Sequence, residues 1–230
     1  MDYISVTKTN RLFWLGRYYE RVSLTLRFIM ERYDEMIDSD SFDYHKYCYD
    51  LGIPDIYSSP EDFFQRYIFD PADDFSIRKS ADTMLGNGMV LRETIGSPTL
   101  SYLQMAVYAL EELATKNIPV GLGLQNVIDN IMAFRGSYDD FIDDDNIRNT
   151  IKCGASVERL SFCLRVGYME ECASLELFKL LKRMQRCQLQ TNALSMQALV
   201  RQSRASEGSA ENTSLDKAEF TQAVENLFIV

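Results

Sequence analysis

RLFWLGRYYERVSLTLRFIMERY, residues 11–33, is the stretch that decides the fold. Leu15, Tyr18, Tyr19, Val22, Leu26, Ile29 and Tyr33 recur at steps of three and four, and Met36 continues the series. That period marks the buried face of a helix, not the alternation of a strand. A helix is expected over residues 9–37, with Thr9 or Asn10 as its N-cap. The stretch also holds the only tryptophan, Trp14, and a glycine, Gly16, within the helix. Glycine in a helix interior costs about 0.8–1 kcal/mol against alanine. Its presence there signals that another helix, or a ligand, needs the space.

A reduced copy of the stretch recurs far along the chain. Residues 15–28, LGRYYERVSLTLRF, align with residues 153–166, CGASVERLSFCLRV. Both read G-x3-E-R-x-S-x2-L-x-R. The shared letters are Gly16/Gly154, Glu20/Glu158, Arg21/Arg159, Ser23/Ser161, Leu26/Leu164 and Arg27/Arg165. This is an internal repeat. Gly and Glu lie four apart, so they share a helix face, and the Glu side chain leans back over the Gly. The distal Arg sits two turns further along, and the adjacent Arg points about 100° away. Two such helices packed about a pseudo-twofold axis would interlock their Glu and Arg side chains, because buried charges must pair.

Working outward, SDSFDYHKYCYDLG reads as a short helix ending near Gly52, and SSPEDFFQRYIF as another, with Ser59 as cap and Pro60, Glu61 and Asp62 in its first turn. DPADD breaks the chain. A helix is expected over 75–94 and one from Thr99 to about Ala114, with Leu103, Val107, Leu110 and Leu113 on one face. NIPVGLG reads as a loop, followed by a helix over 124–134. The acidic run at 138–146 lacks the ligand spacing, central Gly and closing Glu of a calcium loop. It reads as a solvated loop whose last Asp residues cap a helix from about Asn146 to Tyr168. Ser174 is expected to cap a final long helix of about 28 residues. SRASEGSAENT, 203–213, reads as a flexible linker, and Ser214 as the cap of an amphipathic segment bearing Phe220, Val224, Leu227 and Phe228. The expectation is an all-α helical bundle of about six to eight helices over 1–202, the linker, and a C-terminal amphipathic helix over 214–230.

Composition narrows the function. The 230 residues are 46% hydrophobic and 25% charged, as in ordinary globular proteins. The net charge of −10 disfavours nucleic acid as a partner. No stretch reaches the ~18 apolar residues that span a bilayer. The N-terminal MDYISVTKTNR has no basic region followed by an apolar block, so a cytoplasmic protein without a secretory signal is expected. The five cysteines, with no C-x-x-C spacing, read as reduced thiols. One histidine, His45, argues against a Cys-His nucleophile and against a di-iron bundle. GLGLQN is not a phosphate-cradling loop, and no cofactor or metal ligand set stands out.

The charged motif has three readings: buried ion pairs that fix helix register, a polar site that binds a carboxylate, phosphate or peptide end through Arg forks, and acid/base catalysis by Glu20 or Glu158.

At these residues the chain resembles the bacterial alpha-E family, named for its helical content and Glu-Arg motif. Members tend to begin with a Y/F-W-L-G-R-Y-x-E-R string, matched by Phe13, Trp14, Leu15, Gly16, Arg17, Tyr18, Glu20 and Arg21. Glu158 and Arg159 are similar to the family's later G-x3-E-R motif, and Ser76, Ile77, Asn87, Arg92 and Glu93 to its middle segment. Leu85 and Met89 stand where that segment has Arg. The resemblance implies a context: circularly permuted ATP-grasp proteins as partners, often with transglutaminase-like peptidases, in systems that look like ATP-dependent amide or peptide ligases. It implies a non-ATPase accessory subunit that binds the ligase or its peptide substrate through an Arg/Glu-lined groove. The candidate binding residues are Arg17, Glu20, Arg21, Arg27, Asn87, Arg92, Glu93, Glu158, Arg159 and Arg165. The alternatives are an enzyme acting on an amide or acyl intermediate through Glu20 or Glu158, and a purely structural scaffold.

Overall fold

The computed structural model describes residues 5–38, 43–167, 170–206 and 215–229. Among these the fold is all-α, with eleven helices and no strand beyond one isolated bridge. The helices are α1 (Val6–Asp38), α2 (Tyr44–Leu51), α3 (Pro60–Phe69), α4 (Ile77–Val90), α5 (Arg92–Ile95), α6 (Ser97–Thr115), α7 (Val120–Phe141), α8 (Asp145–Val166), α9 (Glu170–Met184), α10 (Ala193–Ser206) and α11 (Lys217–Glu225). The count exceeds the expected six to eight because two expected helices are broken, one at Leu91 and one over 185–192. No helix among the described residues is long and apolar enough to cross a membrane.

The chain divides into two compact units, one of residues 1–17 with 144–230, the other of residues 18–143. In the second unit α6 packs on α7. Leu103 and Leu110 of α6 and Leu124, Ile131 and Phe134 of α7 are fully buried. Gly123 admits the Leu113 side chain, where a Cβ would lie 2.5 Å from a Leu113 methyl carbon. The α7 start at Val120 takes up residues 120–123 of the expected loop and leaves 117–119 as the connection, and its end at Phe141 takes up residues 138–141 of the acidic run. Gly96 precedes α6 at φ +81°, a conformation that glycine adopts without strain. Around α3, Phe63 stacks on Tyr67 at 5.2 Å between centroids and meets Tyr57 edge-on at 5.1 Å. Tyr57 donates its hydroxyl to the buried Asp73 at 2.9 Å.

The first unit is built on α8, which packs against α9 and α11, with α10 against α9 and α11. Its core joins Phe13 of α1, Val157 and Leu160 of α8, Leu177 and Leu180 of α9, Phe220 and Val224 of α11, and Leu227 just beyond it. The single long helix expected after Ser174 does not form, and Ser174 lies inside α9. Over 185–192 the backbone pairs with the C-terminal stretch instead. Asn192 donates its amide to the Leu227 carbonyl at 2.8 Å, and Ile229 donates to Gln190 at 3.0 Å. Asn192 then accepts from the amides of Leu194 and Ser195, which starts α10.

The caps read from the sequence stand at Ser59, which accepts from Asp62, and at Asp144, which accepts from Asn146 and Ile147; Ser76, not read as a cap, accepts from Lys79 at the start of α4. The cap of α1 is one turn earlier than expected: Ser5 Oγ accepts from the Lys8 amide, and Thr9 and Asn10 are helical. Asp216 caps α11, through the Glu219 amide. The Ser214 cap, most of the expected linker (207–213), residues 39–42 of the second expected helix, and the Tyr33 and Met36 side chains lie outside the described residues.

Candidate functional site

The site begins with two glycines. A Cβ on Gly16 would stand 2.1 Å from the Ile151 carbonyl oxygen, and one on Gly154 2.0 Å from the Phe13 carbonyl oxygen. Ile151 is three residues before Gly154 and Phe13 three before Gly16, so each glycine receives the backbone of the opposite helix at the same register. The start of α1 and the middle of α8 thus cross in backbone contact, related by a local pseudo-twofold. The space that the repeat required is filled by another helix.

That crossing brings Arg17 onto α8. Its Nε donates to Glu158 Oε2 at 2.8 Å, and its two terminal nitrogens reach Glu225 of α11, Nη1 to Oε2 at 2.9 Å and Nη2 to Oε1 at 3.3 Å. The guanidinium lies 5.4 Å from the Trp14 ring, a cation–π contact one turn back on α1. Arg165 Nη2 faces the other oxygen of Glu158 at 3.5 Å. Ser161 Oγ donates to Glu225 Oε1. Arg17 thus bridges Glu158 and Glu225, and Arg165 adds a second cation beside Glu158. Glu158 has no exposed surface and meets an Arg on each oxygen, whereas the Glu225 side chain is 39% exposed. Partial burial opposes the Glu225 charge, but the Arg17 fork and the Ser161 hydroxyl hold its carboxyl below the ordinary range.

The adjacent Arg of the motif turns to a different neighbour. Arg159 Nε donates to Glu176 Oε2 of α9 at 2.9 Å, and Lys179 Nζ donates to Glu176 Oε1 at 2.6 Å. Burial works against the Glu176 charge, and Lys179 and Arg159 outweigh it, so this carboxyl also titrates low. Arg183 of α9 donates to the buried Ser156 hydroxyl. The Glu-Arg pair of α8 thus divides its work: Glu158 binds α8 to α1, and Arg159 binds α8 to α9.

The other candidate residues belong to the second unit. Glu20 is buried, Arg21 lies 5.3 Å from the Tyr18 ring, and Arg27 is exposed. Asn87 is buried in α4, beside Gly88, whose α-carbon accommodates Leu103. Arg92 is exposed and donates to Ser97 Oγ at 2.9 Å, and Glu93 is exposed. Sequence reasoning named Arg17, Glu158 and Arg165, which do meet. It missed Glu225 and Glu176, which complete the two clusters, because their helices carry no copy of the motif.

Glu158 is shielded from solvent and meets an Arg on each oxygen, so its carboxylate is a buried counter-charge that holds Arg17 and Arg165 in place. Among the described residues no group of three or more His, Cys, Asp or Glu is placed to hold a metal ion. A cleft of about 610 Å³ lies between α10 and α11, bordered by Ser195, Arg201, Gln222, Asn226 and the exposed edge of Glu225. No curated protein and no solved structure matches the chain. A family model does, over residues 8–207: Alpha-E, a predicted alpha-helical domain with a conserved ER motif. With Glu20-Arg21 and Glu158-Arg159 both inside that span, the chain belongs to the Alpha-E family.

Proposed function

We propose that this chain is a cytoplasmic, non-ATPase accessory subunit of an ATP-grasp-type amide or peptide ligase system. It binds the ligase, or the ligase's peptide substrate. The observation that carries this reading is membership of Alpha-E over residues 8–207, since resemblance to that family implies a circularly permuted ATP-grasp partner. The geometry refines how binding would work. The motif charges of α8 are spent within the protein, which favours the motif as architecture. An open polar surface lies at the α10–α11 cleft, where Arg201, Gln222, Asn226 and Glu225 offer both signs of charge and amide groups to a peptide backbone.

The test is co-expression with the ligase encoded beside it. A stable complex and higher ligase output are expected. Arg201→Glu and Gln222→Ala, both at exposed positions, should weaken binding or output while the helical circular dichroism stays unchanged. Failure of the two proteins to associate, together with unchanged ligase output, overturns the proposal.

A further inference from the structure

The cysteines are free thiols, and four of the five lie in two close pairs within the first unit. Cys163 of α8 and Cys172 of α9 have sulfurs 3.0 Å apart. Cys153 of α8 and Cys187, in the connector after α9, have sulfurs 3.6 Å apart. Each pair couples a buried sulfur on α8 to a partly exposed one. A disulfide requires about 2.05 Å between sulfurs, so both pairs stand within roughly 1–1.6 Å of bonding distance.

The second pair is the better placed for reaction. Cys187 follows α9 in a non-helical segment, where the backbone adjusts more readily than in a helix. It borders a cleft of about 360 Å³, together with Leu181, Met184, Leu189, Met196 and Phe228. That volume is at the lower end of small-molecule sites. We propose that Cys187 and Cys153 form a thiol–disulfide exchange site, with Cys187 the attacking thiol, Cys153 the resolving thiol, and a glutathione-class disulfide the reactant. The hydrogen bond from Cys153 holds the Cys187 thiol below its ordinary value, which raises its thiolate share. The same bond, with burial, pushes Cys153 up. Burial also pushes Cys163 up to about 12.

The chemistry balances in two exchanges. The Cys187 thiolate attacks one sulfur of the reactant disulfide, whose S–S bond breaks to release one thiolate. Cys153 then loses its proton and attacks the Cys187 sulfur. The mixed disulfide breaks, the second thiolate leaves, and the Cys153–Cys187 bond forms. The protein loses two electrons and two protons, and the reactant takes them up as two thiols. The closed bond ties the connector to α8 one residue before Gly154, beside the helix crossing.

The test uses the full reduced chain with oxidised glutathione at neutral pH, followed by intact mass and peptide mapping. The expected result is loss of two hydrogens and a Cys153–Cys187 bridge that appears before any Cys163–Cys172 bridge. Cys153→Ser should stop at a glutathione adduct on Cys187, and Cys187→Ser should give neither adduct nor bridge. The wild-type map decides the question even where a variant fails to fold. A first bridge at Cys163–Cys172, adducts confined to other positions, or no modification overturns the assignment.

Discussion

The two copies of the Gly-Glu-Arg device share six letters and diverge in what surrounds them. Gly16 and Gly154 do the same job, each admitting the opposite helix's carbonyl to contact distance. Position 17 is Arg, but its equivalent in the second copy is Ala155. The guanidinium that reaches Glu158 therefore has no counterpart in the other copy. Glu20 and Glu158 are both buried, and Arg17 Nε reaches Glu158 across the crossing. The invariant letters of the repeat set how closely the helices approach. The letters that differ decide which carboxylate is bridged, and a third helix, α11, supplies the second acid.

The comparison breaks most easily at the glycines. Gly154→Ala places a methyl group 2.0 Å from a backbone oxygen that cannot rotate away. Overpacking of this kind costs typically 1–3 kcal/mol, and against backbone the expected loss is about 3 kcal/mol or more. Urea unfolding followed by circular dichroism measures it, and a cost below about 1 kcal/mol would show that the crossing opens freely. Next comes Arg17→Met, which takes one guanidinium away from the buried Glu158. A loss of about 3 kcal/mol is expected, and the double variant Arg17→Met/Glu158→Met should recover much of it, because it also removes the buried carboxylate that lost a counter-charge.

Glu225→Gln should cost less, below about 1 kcal/mol, because solvent screens a carboxylate 39% exposed. Its signature is pH dependence. A carboxyl whose folded pKa is lowered stabilises fully above its ordinary value of 4.5, and that contribution is lost as pH falls through the folded value. Thermal melts should therefore show wild type and Glu225→Gln converging below pH 4.5. The smallest change sharpens the comparison from the opposite side. Gly86 lies inside α4 with no atom near its missing Cβ, so Gly86→Ala should stabilise by about 0.8–1 kcal/mol. A glycine in open space should gain from the methyl group that the crossing glycines reject.

How much of this was legible depends on where each residue's partner lies. The helical faces of α1, α6 and α8 follow from period alone, since Leu15, Tyr19, Val22, Leu103 and Leu160 need only be apolar to be buried. The crossing was legible too, because a repeated glycine in a helix asks for a close neighbour. The break over 185–192 was not. RCQLQTN is compatible with a helix, but residues 190–192 pair through the backbone with 227–229. Glu225 was hidden for a related reason. The pattern of Phe220, Val224 and Leu227 shows that α11 has an apolar face, but not which charge waits beside it.

The placement of Glu225 on α11 has a consequence in time. Arg17 and Glu225 are 208 residues apart. At a synthesis rate of roughly 5–20 residues per second, about 10–40 s separate their emergence. The unit of residues 18–143 is contiguous and is complete well before then, whereas the other must hold its first segment until α8 and α11 arrive. Contacts of such sequence separation are slow to form. Nascent chains arrested near residue 170 should already protect 18–143 from protease while Arg17 stays accessible. Protection of both segments at once would mean that the order of synthesis does not govern the order of folding.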